Sequence, residues 1–373
     1  MPHLAAGTLA LTTLLALITA LGPLATDMYL PLLPAIRGAL GATTAETQAT
    51  LSGFLIGYAI AQLFYGPISD RKGRKPAMLF GLGLYSVASL LCAVAPSIEF
   101  LVAARVLQAL GGAGSVVLAR AMVRDLYEGA RAGRELAGMG VIMGVVPALA
   151  PVLGAGIGAV TGWRGVFVAM TLAGPALAAA VLLKLPETLT RPLATPFSAA
   201  TMLGDFARIG RSRAFRFYVL IGSLSFAGFF SFLSGASFVL QGRYGFTAGA
   251  FAGAFALTVF GYMVGASLAQ RIVMKRGIDG TMRLGVLLMT PVSLLMLTLV
   301  AADIGGPWPI VLLMPFYQCS MGLILSQCNA GALMPFRTMA GSASSLFSVT
   351  QMAIAASAGS LVGAALDRTI LAL

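Results

Sequence analysis

The sequence predicts an all-α membrane protein built as two helical groups. Three observations carry the prediction: the composition, a series of uncharged runs, and the way the basic residues are shared between the turns. Of 373 residues, 58% are hydrophobic and 10% charged, with a mean hydropathy of +0.93. Soluble domains carry about 25% charged residues, so lipid is the solvent for most of this chain. The cysteines, Cys92, Cys319 and Cys328, all lie in apolar runs, and the single histidine is His3. That excludes a disulfide framework and a metal site built on His and Cys.

Charges cut the chain into eleven runs: 1–36, 47–69, 76–98, 100–119, 136–163 and 165–183, then 217–242, 244–270, 284–302, 304–336 and 338–366. A helix needs about 20 apolar residues at 1.5 Å rise to cross ~30 Å of hydrocarbon, and every run supplies them. The first is read as a span and not a removed signal peptide, because no small-residue cleavage site opens onto a soluble body. It carries one side-chain charge, Asp27, surrounded by Pro23, Pro31 and Pro34. Each proline removes a backbone donor and loosens the helix, and broken helices are tolerated in membranes where they line a cavity. Run four is interrupted by Arg105 alone. Run five is rich in glycine, including Gly138, Gly140, Gly144, Gly154, Gly156 and Gly158, which suits close helix–helix approach.

The segment after run six, rich in Pro, Thr and Arg, divides six spans from five. The expected organisation is a bundle over 1–185, a linker over 186–213 with a short surface helix near 198–209, and a second bundle over 214–373. With the N-terminus inside, nineteen of the 24 Lys and Arg residues fall in inside loops and four (Arg37, Arg164, Arg243, Arg368) outside. That bias orients the chain and explains its net charge of +12 through anionic lipid heads, without nucleic acid.

A lone carboxylate in an apolar span costs several kcal/mol, by order of magnitude, to hold ionised, and is retained for a partner, a proton or a substrate. Asp27 lies four residues before Pro31 in an outward span, and Arg105 nine residues after Pro96 in an inward one. Both fall between the outer surface and the middle of the membrane, so contact is expected. The plainer expectation for Arg105 is hydrogen bonding to backbone carbonyls of span one. No other ionisable group is buried at that depth, which argues against a membrane-embedded enzyme. Tyr29, Tyr58, Gln108, Phe226, Phe230 and Tyr317 are candidate substrate contacts, weighed against ordinary helix packing.

The loop Gly66-Pro-Ile-Ser-Asp70-Arg71-Lys72-Gly73-Arg74-Lys75 resembles the signature loop between helices two and three of the major facilitator superfamily, with a weaker internal counterpart over 270–277. Here Gly66 is expected to permit close packing and Gly73 a tight turn. Leu101–Gly111 around Arg105 is similar to the fourth-helix motif. Gly144, Pro147, Pro151, Gly154 and Gly156 are similar to the fifth-helix antiporter motif, and Thr26–Pro31 with Pro34 resembles the first-helix motif of the Bcr/CflA drug-resistance branch, which includes phenicol exporters.

The resemblance implies a major facilitator fold, two bundles around a central cavity, and a proton-coupled multidrug or phenicol efflux antiporter of the bacterial inner membrane working by alternating access. It assigns proton and substrate coupling to Asp27 and Arg105. It also implies a cytoplasmic charge latch of Asp70, Arg74 and Asp125, weighed against plain surface ion pairing. The expected partners are a small amphiphilic drug-like substrate, protons and lipid, with a monomeric chain and no cofactor. The alternative is a proton-coupled symporter or exporter of a small endogenous metabolite. The family has twelve spans; after Leu366 only seven residues remain, so a twelfth is expected to be absent.

Overall fold

The computed structural model describes residues 8–127, 129–189 and 199–370, and these are helical almost throughout. In chain order the helices are α1 (Leu9–Asp27), α2 (Leu33–Leu40), α3 (Thr44–Lys72), α4 (Arg74–Ala93), α5 (Ile98–Leu126), α6 (Gly129–Lys184), α7 (Ala199–Gly210), α8 (Arg213–Ser237), α9 (Ala248–Ala301), α10 (Trp308–Leu333) and α11 (Ala340–Ile370). The starts are chemically marked. Thr43 and Glu46 cap each other's backbone amides ahead of α3, and Ser97 caps α5, satisfying donors that the first turn leaves unpaired.

Nine helical segments among the described residues are long and apolar enough to cross a membrane. By length and composition, then, the eleven spans expected from the runs are not established. The difference lies in α6 and α9, of 56 and 54 residues. Straight helices of that length would measure roughly 80 Å against a ~30 Å hydrocarbon core. Each is broken at one residue: Gly162 (φ 72°, ψ −179°) in α6 and Gly277 (φ 67°, ψ −178°) in α9. Positive φ is a conformation that glycine adopts at little steric cost.

Contacts divide the chain into two compact units, Met1–Phe197 and Ser198–Leu373. In the first, α3 and α4 both pack on α5, while α6 packs on α1 and α4. In the second, α9 pairs with α10, and α8 with α10 and α11. Gly261 and Gly265 of α9 sit against the backbone of Pro315 and Cys319 in α10, where a Cβ would overlap the neighbouring carbonyls. Close backbone approach of this kind is how helices associate where lipid gives no hydrophobic drive. The described parts of the expected linker each pack within one unit. Glu187 and Thr188 bond to the first unit, and α7 packs on α8 and α11 with Ile209 in the core of the second. Residues 190–198 lie outside the described residues.

Candidate functional site

Helix α1 ends at Asp27, and a single 3-10 turn, Leu30–Leu32, precedes α2. The prolines explain where the break falls. Pro31 stands in the 3-10 turn and Pro34 in the first turn of α2, where the missing amide costs nothing. Pro23 lies within α1. Asp27 is 7% exposed, and its carboxylate accepts a hydrogen bond from the Thr26 hydroxyl at 2.8 Å. The expected contact with Arg105 is not formed: the ion pairs among the described residues leave Asp27 out.

Arg105 is instead fully buried in a cage of aromatic rings. Its guanidinium carbon lies 4.4 Å from the ring centre of Tyr29, 4.3 Å from Phe54 and 5.9 Å from Phe167. One terminal nitrogen donates to Gln108 Oε1 at 2.5 Å, and Gln108 Nε2 donates in turn to Ser89 Oγ at 2.7 Å. The Nε and Nη2 atoms are buried without a partner. Backbone carbonyls of α1 do not hold this arginine, contrary to the plainer expectation. A planar, weakly hydrated cation between rings is the arrangement that suits arginine and not lysine.

The glycine-rich motif of α6 presses on the break in α1. A Cβ on Gly154 would overlap the carbonyl oxygen of Met28, and one on Gly158 would meet the Leu32 side chain at 2.5 Å. Gly156 has nothing within 4 Å, so the motif is asymmetric in use. Gly144 lies within the same helix, and Pro147 and Pro151 are accommodated without ending it.

The candidate substrate contacts divide. Tyr29 is buried, with its hydroxyl 3.0 Å from Thr50 Oγ1, and Gln108 is committed to Arg105 and Ser89. Tyr58 packs against Gly22. In the second unit Phe230 is buried against α11, and the Tyr317 hydroxyl donates to the Ser225 carbonyl at 2.8 Å. Phe226 is half-buried and edge-on to Phe229.

The turn between α3 and α4 gathers the charged residues expected there. Gly73 has φ 97°, and Arg74 binds Asp70 at 2.5 Å and Asp125 at 2.9 Å. Arg71 donates to the Pro67 carbonyl of its own helix at 2.7 Å. Gly66 departs from expectation: it lies inside α3, and the nearest atom to a Cβ there is Val117 Cγ1 at 3.9 Å, so close packing does not require it. Two contributors were missed. Glu187 accepts the backbone amides of Arg74 and Lys75 at 3.0 and 3.1 Å, capping α4, and Thr188 donates to Asp125 at 3.0 Å. The signal was an acid just past the C-terminal end of α6, where the helix dipole disfavours it unless a positive helix start lies nearby.

The profile described as Major Facilitator Superfamily matches residues 15–360. A bicyclomycin resistance protein homolog of Haemophilus influenzae is 29% identical over 348 residues, covering 93% of this chain and 87% of that protein. A chloramphenicol resistance protein of Pseudomonas aeruginosa is 33% identical over 266 residues, covering 71% and 62%. Among solved structures, a D-xylose-proton symporter superposes with a TM-score of 0.74 at 15% identity, covering 94% of this chain and 88% of that one.

Proposed function

Since this chain belongs to the major facilitator superfamily, a family of transporters and not of enzymes, we propose that it exports small amphiphilic drug-like molecules in exchange for protons, by alternating access. The drug-resistance names of its relatives support the cargo class. The observation that carries the proton half is the state of Asp27: a buried carboxylate at a helix break, held by one hydroxyl and by no cation. An aspartate at the centre of a spanning helix costs about 3 kcal/mol on insertion scales, and a proton relieves that cost. A carboxylate locked to Arg105 would have no such need.

In this reading Asp27 takes a proton on the outer side, which favours drug release, and loses it on the inner side, which readies the site for the next molecule. The exchange works only because proton and drug bind the two states differently. Arg105, in the aromatic cage beside the break, is in this reading the second coupling residue. The Arg74 latch opens and closes the inner end of the first unit. We read α6 and α9 as two spans each, which gives eleven crossings with the N-terminus inside, in a bacterial inner membrane, and a monomer.

The test is proton exchange in reconstituted vesicles. Adding an amphiphilic phenicol to vesicles that hold the native chain releases protons, whereas Asp27→Asn binds the drug without releasing any. Undiminished proton release from Asp27→Asn, or accumulation of drug down an imposed proton gradient in place of expulsion, rejects the reading.

A further inference from the structure

A cleft of about 470 Å³ opens in the second unit, far in sequence from Asp27 and Arg105. It is lined by Arg213 and Phe217 at the start of α8, by Tyr218 beside them, and by Asp279, Met282 and Arg283 just beyond the Gly277 break in α9. The Tyr218 hydroxyl donates to Asp279 Oδ1 at 2.7 Å, which ties the two helices together and occupies one oxygen of that carboxylate. Neither arginine forms an ion pair among the described residues. The cleft thus holds two free guanidinium groups and one carboxylate, a net formal charge of +1.

What it faces narrows the ligand. Along α8 the cleft runs straight into an exposed apolar stripe, with Phe217, Leu220 and Leu224 at 51%, 54% and 57% exposure. Along α9, Val286 and Leu287 lie one turn beyond Arg283 and are exposed as well. In a spanning helix such stripes meet acyl chains, so a molecule seated here has its head among cations and its body along hydrocarbon. A free anion uses the head position and leaves both stripes unused.

From this juxtaposition we propose that the cleft binds the headgroup of an anionic phospholipid, phosphatidylglycerol by chemistry. Its phosphate sits between Arg213 and Arg283, which can bond its oxygens in a planar fork. Its glycerol hydroxyls donate to the remaining oxygen of Asp279, and its chains lie on the two stripes. Basic pockets between helices on the side that faces anionic lipid take headgroups in this way. Arg208, Arg211 and Arg216, close in sequence to Arg213, add positive charge about the start of α8. The site goes beyond the transport reading and needs only that the chain span a membrane.

The experiment is native mass spectrometry of the full chain in detergent, titrated with phosphatidylglycerol, phosphatidylethanolamine or inorganic phosphate. The native protein retains one phosphatidylglycerol in preference to phosphatidylethanolamine. Each of Arg213→Gln and Arg283→Gln weakens it about fivefold, and the double variant about thirtyfold, at the strength usual for one basic residue near an anionic surface. Both arginines are exposed, so the variants fold. Arg243→Gln, which removes an equal charge paired with Asp303 elsewhere in the unit, leaves lipid retention unchanged. Equal retention by the double variant, equal preference for the zwitterionic lipid, or displacement of the lipid by millimolar inorganic phosphate overturns the proposal.

Discussion

Gly154→Ala adds one methyl group where α6 meets the break in α1, and the structure sets what that methyl encounters. The new Cβ would overlap the Met28 carbonyl oxygen and lie 2.6 Å from the Met28 carbonyl carbon and 2.9 Å from its Cα. Carbon atoms rest about 3.5 Å apart or more, so the two backbones must part by roughly 1 Å. The obstacle is backbone and cannot rotate aside. Overpacking of this kind costs about 1–3 kcal/mol, set against a gain of up to ~1 kcal/mol for replacing glycine in a helix. Gly156→Ala supplies the control: it makes the same substitution two residues away, where nothing lies within 4 Å. The propensity gain is common to both, so the difference between the two variants isolates the overlap at about 1–3 kcal/mol. Denaturation midpoints in detergent measure it. Because Met28 adjoins Asp27, Gly154→Ala also lowers drug-driven proton release while Gly156→Ala does not. Two variants of equal stability and activity, or a worse defect at Gly156, would refute the reasoning.

Two further substitutions test the cage and the cap. Arg105→Lys keeps the charge and loses export, because a lysine cannot stack between Tyr29 and Phe54 while bonding Gln108. Arg105→Leu also loses export, yet holds stability within about 2 kcal/mol, since the ring interactions it forfeits are offset by no longer burying two unpartnered nitrogens. Resistance assays beside thermal unfolding separate those effects, and an active Arg105→Lys contradicts the cage. Glu187→Gln weakens the cap on α4 by about 1 kcal/mol, so the Arg74 and Lys75 amides exchange hydrogen roughly fivefold faster. Unchanged exchange at those two amides contradicts the capping role.

Height along the helices was legible in the sequence, and lateral direction was not. Charge spacing placed Asp27 and Arg105 at similar heights, and that inference needs only a 1.5 Å rise per residue. Whether they touch depends on how α1 and α5 are rotated about their axes, which is set by packing between residues distant in sequence. Tyr29, Phe54 and Phe167 come from three different parts of the chain to surround Arg105, and no local pattern announces that. The glycines divide by the same rule. Gly73 and Gly277 stand beside basic turn residues, so their role in turns could be read locally, while the contrast between Gly154 and Gly156 depends on what the neighbouring helix presents. Counting runs gave an expectation of six spans before the linker and five after it, whereas nine segments among the described residues are long and apolar enough to cross. The breaks at Gly162 and Gly277 fall next to the Arg164 and Arg276 that separated those runs.

The two corresponding turns show how one backbone solution acquired different electrostatics. Gly73 (φ 97°, ψ 151°) and Gly277 (φ 67°, ψ −178°) hold nearly the same conformation. After the first, Arg74 is met by Asp70 and Asp125, and Glu187 caps the helix start that follows. Around the second, Asp279 takes a tyrosine hydroxyl, and Arg271, Lys275, Arg276 and Arg283 form no ion pair among the described residues. Only the first turn neutralises its arginine, as the proposed latch requires. Partly exposed pairs contribute about 0–1 kcal/mol each, so the two Arg74 pairs would give the proposed latch about 2 kcal/mol at most. Inverting a 1:99 equilibrium takes about 5.5 kcal/mol of differential binding. In the proposed mechanism a latch of this strength would yield to cargo and proton together, whereas a deeply buried network would not. The second turn keeps its cations unneutralised among the described residues, as the proposed headgroup site requires.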